Sequence, residues 1–150
     1  MNSNITIKIS QMTQEDIDLI EENFSSDFDK FWSYETLKQD FKCNDSLYLV
    51  AKNADNIVVG FIGLKIILGF ADIMDIAVRK DLRNLRIGSL LLEHAILQAT
   101  SKKCKQVMLE VNSANSPAIA LYKKFCFQKI SVRKKYYNQT DDAIIMQKVL

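Results

Sequence analysis

The chain has 150 residues, 48% of them hydrophobic and 25% charged, with a formal net charge of +2. A chain of this size buries roughly 70% of its unfolded surface, so a single domain over residues 1–150 with a substantial core is expected. No run approaches the about 20 apolar residues that cross a bilayer, MNSNITIKIS lacks the basic and apolar regions of an export signal, and +2 is small for a dedicated nucleic-acid binder, so the expectation is a cytoplasmic protein with no membrane or direct nucleic-acid partner.

Ile5, Ile7 and Ile9 alternate with polar residues, the period of a half-buried strand. Thr13 followed by Asp16 has capping-box spacing and predicts a helix to about Phe24. A second helix is expected from Ser33, with Leu37 and Phe41 on one face. SLYLVAKN and IVVGFIGLKII flank a short polar turn at Ala54 to Asn56 and read as a hairpin. FADIMDIAV is a further strand, and Ile87 to about Lys102 a helix with Ile87, Leu91 and Ala95 at helical spacing. KQVMLEV is a strand, and Ser116 before Pro117 gives an N-cap and a first-turn proline to a helix through about Phe125. CFQKISVRKKYY and AIIMQKVL close the chain as strands. The order β, α, α, β, β, β, α, β, α, β, β calls for a mixed α/β sheet, antiparallel early and joined by crossover helices later.

Cys43, Cys104 and Cys126 are widely spaced and, with the single His94, form no zinc pattern, so no metal is expected and the cysteines read as free thiols. His94 and Ser89 share one helix with no acidic partner indicated, a poor nucleophilic couple. The charge is divided unevenly. Residues 1–75 carry 13 acidic and 6 basic side chains, net −7, while residues 76–150 carry 5 acidic and 14 basic, net +9. The two halves suit ligands of opposite sign, or are ordinary solvated helix faces.

Between the strand FADIMDIAV and the helix at Ile87 stand Arg79, Lys80, Arg83 and Arg86. A helix N-terminus offers unpaired N–H groups and partial positive charge, and arginines grip phosphate oxygens, so a pyrophosphate would suit this loop. The alternative is solvent-facing decoration. The loop is neither a P-loop nor a dinucleotide fingerprint. In VMLEVNSANSPAIALYKKF, Val107, Leu109 and Val111 share one strand face and Glu110 projects from the other. Taken separately, Glu110 suits an exposed strand position and Tyr122 a helix core position.

The ensemble of that loop, LEVNSAN, the helix AIALYKKF and the tail YYNQTDDAIIM resembles the GNAT superfamily of N-acetyltransferases. Within it, the chain is similar to the RimI-type ribosomal-protein-alanine N-acetyltransferases of bacteria. The similarity runs over nearly the whole chain, including Phe31-Trp32-Ser33 at the entry to the second helix. Its most specific parts are LEV-x-x-x-N followed by A-x-x-LY, and the Tyr-Tyr then Asp-Ala-x-x-Met ending.

The resemblance implies an acyl-CoA N-acyltransferase fold with a central mixed sheet of six to seven strands flanked by about four helices. It implies acetyl-CoA as cosubstrate and, as acceptor, the N-terminal α-amine of a protein or peptide, with an alanine-starting small-subunit ribosomal protein as the candidate. Acetylation of a small-molecule amine or a lysine, or acetyl-CoA binding without turnover, are the competing functions. A monomer or weak dimer is expected. By resemblance, Ile76, Ala77 and Val78 serve the pantetheine arm and thioester, and Arg83, Asn84, Leu85, Arg86, Ile87, Gly88 and Ser89 wrap the pyrophosphate. Asn115 holds the cofactor arm, Glu110 matches the proton acceptor and Tyr122 the proton donor, while Trp32, Tyr136 and Tyr137 line the acceptor side. Two positions depart from the family pattern. Arg86 stands where its loop has a glycine, and Cys126 replaces the glycine that ends the tyrosine helix; each is expected to bear strain if its φ is positive.

Overall fold

The computed structural model describes residues 6–27, 34–83, 85–137 and 140–150, without the side chains of 23–27 and 137. The elements are β1 (Lys8–Gln11), α1 (Gln14–Asp27), α2 (Tyr34–Phe41), β2 (Ser46–Lys52), β3 (Val58–Ile67), β4 (Phe70–Val78), a 3-10 turn (Lys80–Leu82), α3 (Ile87–Ser101), β5 (Gln106–Asn112), α4 (Ser116–Lys124), β6 (Gln128–Tyr137) and β7 (Asp141–Val149). The element order is the expected one, and the strands form a seven-stranded mixed sheet in the order β1-β2-β3-β4-β5-β7-β6. No helix of the described residues is long and apolar enough to cross a membrane.

The chain divides into two compact units, Met1–Lys65 with Met74–Ala95, and Ile66–Ile73 with Ile96–Leu150. In the first, the expected capping box starts α1: Asp16 N–H donates to Thr13 Oγ1 at 3.2 Å, and Thr13 N–H donates back to Asp16 Oδ2 at 2.9 Å. Asp16 is buried, and Lys52 Nζ on β2 stands 2.8 Å from its Oδ1, so the cap also ties the helix to the sheet. Met12, Ile17, Ile20, Leu37, Val50 and Phe61 form the core here. The β2–β3 turn is made by Asn53, whose Oδ1 accepts from the N–H groups of Asp55 and Ile57 at 3.0 Å. A Cβ on Gly60 would stand 2.9 Å from Ala77 O and 3.1 Å from Leu91 Cδ1, so glycine permits this approach of β3 to β4 and α3.

In the second unit, Phe70, Ala71 and Asp72 of β4 pair in parallel with Gln106, Val107 and Met108 of β5. The antiparallel partner of β5 is β7, not β6: Glu110 lies opposite Ile145 and Asn112 opposite Ala143. Val107, Leu109 and Val111 are buried, as their alternation predicted, together with Phe127, Ala143 and Met146.

α4 differs from expectation at its start. Its N-cap is Asn115, one residue before the expected Ser116, and Asn115 Oδ1 accepts from Ala118 N–H at 3.3 Å. An asparagine caps as well as a serine, and Asn112 Oδ1, by accepting from Ala114 N–H at 2.8 Å, turns the chain early enough for Asn115 to take the place.

Candidate active site

The expected residues fall into two groups, one in each unit. The first runs from the end of β4 into α3. Asp75 Oδ1 accepts from Ile76 N–H at 2.8 Å, so this donor is already engaged within the chain. The other carboxyl oxygen, Oδ2, is buried without a hydrogen-bond partner, and burial pushes the Asp75 carboxyl up to about 8. Sequence reasoning passed over Asp75; its one signal is an acid inside an apolar strand.

Of the four loop cations, Arg79 is engaged. Its Nε and Nη2 donate to the two oxygens of Asp81 at 3.0 and 2.8 Å, which holds the Asp81 carboxyl below the usual carboxylate range. Arg83 and Arg86 are exposed. The first intrahelical bond of α3 runs from Leu90 N–H to Arg86 O at 3.0 Å, which leaves the N–H groups of Ile87, Gly88 and Ser89 without an intrahelical acceptor. Ile87 is buried and anchors the turn, while Leu85 is exposed. Arg86 has φ +65, the left-handed value that its replacement of a glycine suggested. These N–H groups, the helix dipole and two exposed guanidinium groups fit a pyrophosphate.

The second group starts from Glu110 on β5. Its side chain is partly exposed, and Arg133 Nη1 on β6 stands 3.3 Å from its Oε1. The Arg133 guanidinium also lies over the Tyr136 ring, 5.4 Å from the centroid. The structure thus brings Glu110 together with Tyr136 through Arg133. Lys134 and Lys135 are engaged elsewhere: Lys134 Nζ donates to Asp142 Oδ2 at 3.4 Å, and Lys135 N–H donates to Asp142 Oδ1 at 2.9 Å.

Tyr122 is buried in the last full turn of α4. That helix ends with Phe127 N–H donating to Tyr122 O at 3.1 Å and Cys126 N–H donating to Lys123 O at 3.0 Å. This is the Schellman pattern, completed by an edge-to-face contact between the Tyr122 and Phe127 rings at 5.8 Å. Cys126 occupies its left-handed position at φ +70. Asn115 places its side-chain oxygen on the helix it caps, a structural use beside the expected one. Trp32, Asn84 and the Tyr137 side chain lie outside the described residues.

A family model described as the acetyltransferase (GNAT) family matches residues 17–127. A protein of Bacillus subtilis (strain 168), provisionally named a ribosomal protein bS18-alanine N-acetyltransferase, is 31% identical over 139 residues, covering 92% of each chain. The ribosomal protein bS18-alanine N-acetyltransferase of Salmonella typhimurium is 34% identical over 119 residues, covering 77% of this chain and 78% of that one. The crystal structure of the ribosomal-protein-S18-alanine N-acetyltransferase from Escherichia coli superposes with a TM-score of 0.87 at 26% identity, over 96% of this chain and 94% of that one. The seven-stranded order and these matches agree, and the chain belongs to the GNAT family of acetyltransferases, enzymes that take their acetyl group from acetyl-CoA.

Proposed function

We propose that the 150 residues act as one N-acetyltransferase domain that acetylates the N-terminal α-amine of a protein, with an alanine-starting small-subunit ribosomal protein as the natural acceptor. The observation that carries this reading is the 31% identity over 92% of the chain to a relative named for that acceptor. The partly exposed carboxylate of Glu110 agrees with it.

Acetyl-CoA, when bound, supplies the acetyl group as an activated thioester. Arg83, Arg86 and the N–H groups of Ile87, Gly88 and Ser89 hold its pyrophosphate, and by resemblance Asn84 and Leu85 take part with them. The backbone of Ala77 and Val78 and the carbonyl of Ile76 serve its arm, since the Ile76 N–H is engaged by Asp75. Asn115 matches the family's asparagine that holds the cofactor arm. An amine attacks only when neutral, and Glu110 takes its proton, directly or through one water. A protein α-amine has a pKa of about 8 against about 10.4 for lysine, so neutralising it near pH 7 costs about 3 kcal/mol less. One carboxylate is then enough. Tyr122 returns a proton to the departing sulfur, and Trp32, Tyr136 and Tyr137 line the way in for the peptide.

The test is release of free thiol from acetyl-CoA with peptides starting in Ala, Ser or Met, against a lysine peptide blocked at its N-terminus. The α-amine peptides are expected to react, Ala fastest. Acetylation of the blocked lysine peptide alone would discard the reading, and no turnover with any amine would leave a binding module in its place.

A further inference from the structure

Arg133 reaches Glu110 across a strand. β7 lies between β5 and β6, with Glu110 opposite Ile145 and Arg133 opposite Ala143, so the two residues share one sheet face, offset by two positions. On β7 the neighbour of Arg133 is Ala143, buried and with only a methyl group on that face, while the neighbour of Glu110 is Ile145. The contact is a single one, Nη1 to Oε1 at 3.3 Å, with the Arg133 side chain 54% and the Glu110 side chain 33% exposed. In the same position the guanidinium lies over the Tyr136 ring, 5.4 Å from its centroid.

A carboxylate that takes a proton from an ammonium must first meet that ammonium. Here a cation already stands against it, and a guanidinium, with a pKa above about 12, has no proton to give up. An exposed, single-contact ion pair is also weak enough to be displaced. We propose that Arg133 is a specificity-determining residue of the acceptor site: a resident cation on Glu110 that the acceptor's ammonium must displace, the guanidinium being held by Tyr136 once displaced. The proposal rests on the reading of Glu110 as the base. It makes the site favour acceptors that bring a positive charge and enough further peptide contacts to win the exchange. A small amine with only its charge to offer competes poorly against a tethered guanidinium.

The experiment is steady-state kinetics with an Ala-starting peptide for the wild type, Arg133→Gln, Arg133→Lys and Glu110→Gln. Arg133→Gln is expected to lower the peptide KM by roughly two- to fivefold, the range an exposed ion pair sets, with the change in KM exceeding any change in kcat. Arg133→Lys, which keeps a cation, is expected to return KM toward the wild-type value. An unchanged or raised KM in Arg133→Gln would overturn the proposal, and so would a fall in kcat at constant KM, which would make Arg133 an orienter of Glu110. Glu110→Gln separates the two levels of inference. If it turns over like the wild type, the base assignment fails and this proposal with it; if it is inactive while Arg133→Gln leaves KM unmoved, only the proposal fails.

Discussion

Asp75 combines one oxygen bonded to its neighbour's N–H with another that is buried and unpartnered, and burial lifts its carboxyl to about 8. An unfolded aspartate titrates near 3.9. The stability of the protonated form is therefore fully present below about pH 4 and is lost as pH rises to about 8, at about 1.4 kcal/mol for each pH unit between the two midpoints. Asparagine reproduces the neutral carboxyl and keeps an acceptor for Ile76 N–H, so Asp75→Asn should match the wild type in stability near pH 4 and exceed it by several kcal/mol at pH 8.5. Denaturant melts at the two pH values check this; parallel losses in both proteins would mean that Asp75 is ionised in the folded state. For the chemistry, Glu110→Gln and Tyr122→Phe should each lower kcat by roughly 100-fold or more, the contribution of a positioned acid or base. Both should retain acetyl-CoA affinity in a calorimetric titration. Rates unchanged in both would remove these residues from the mechanism. The assignment of Glu110 and Tyr122 to these roles comes only from the motif spacing LEV-x-x-x-N and A-x-x-LY. The significance of Asp75 and Arg133 was not legible, because an orphaned oxygen or a partner two strands away leaves no mark in neighbouring residues.

Helix ends were legible where their chemistry is local. The Thr13–Asp16 box formed as its spacing predicted, and the helix it starts runs three residues past the expected Phe24. The α4 cap fell one residue earlier than read, because Asn115 and Ser116 are both competent caps and the turn at Asn112 chooses between them. At the other end of α4, the left-handed position of the Schellman motif is filled by Cys126 at φ +70. An L-residue there costs about 1–2 kcal/mol, part of which glycine would return as entropy lost on folding. Cys126→Gly is therefore expected to stabilise the protein by about 1 kcal/mol, read as a higher denaturant midpoint at constant m. The Tyr122 ring, packed on Phe127 next to the same motif, should stay in place, so activity should not fall. A lower midpoint would show that the Cys126 side chain makes contacts worth more than the backbone strain. Arg86 carries the same left-handed backbone at the loop before α3, with its side chain exposed.

Across the whole chain, charge is the property that composition displays and the structure distributes. Residues 1–75 carry a net −7, and Glu15, Asp18, Glu21 and Glu22 of α1 are exposed. If this acidic surface draws in a basic N-terminal peptide, salt should weaken the attraction, since the screening length falls from roughly 30 Å at 0.01 M to 3 Å at 1 M. The peptide KM should rise with salt for a lysine- and arginine-rich acceptor and stay nearly constant for an uncharged one of the same first residue. Equal salt dependence for the two peptides would discard the acidic surface as a determinant. The strand and helix order was legible throughout, because hydrophobic periodicity and turn residues act over a few positions. The sheet order was not. β6 and β7 are consecutive and pair, yet it is β7 that lies against β5, which no local pattern announces.

The segments, their faces, the cationic loop before α3 and, through the motifs, the family can all be read along the chain. These depend on side-chain period and on short-range backbone chemistry, both written along the chain. Packing alone brings Arg133 to Glu110, holds Arg79 at Asp81 and leaves one oxygen of Asp75 without a partner among the described residues. Each of these depends on which groups are left together once strands distant in sequence have paired and water has been excluded, and that is a property of the packed chain.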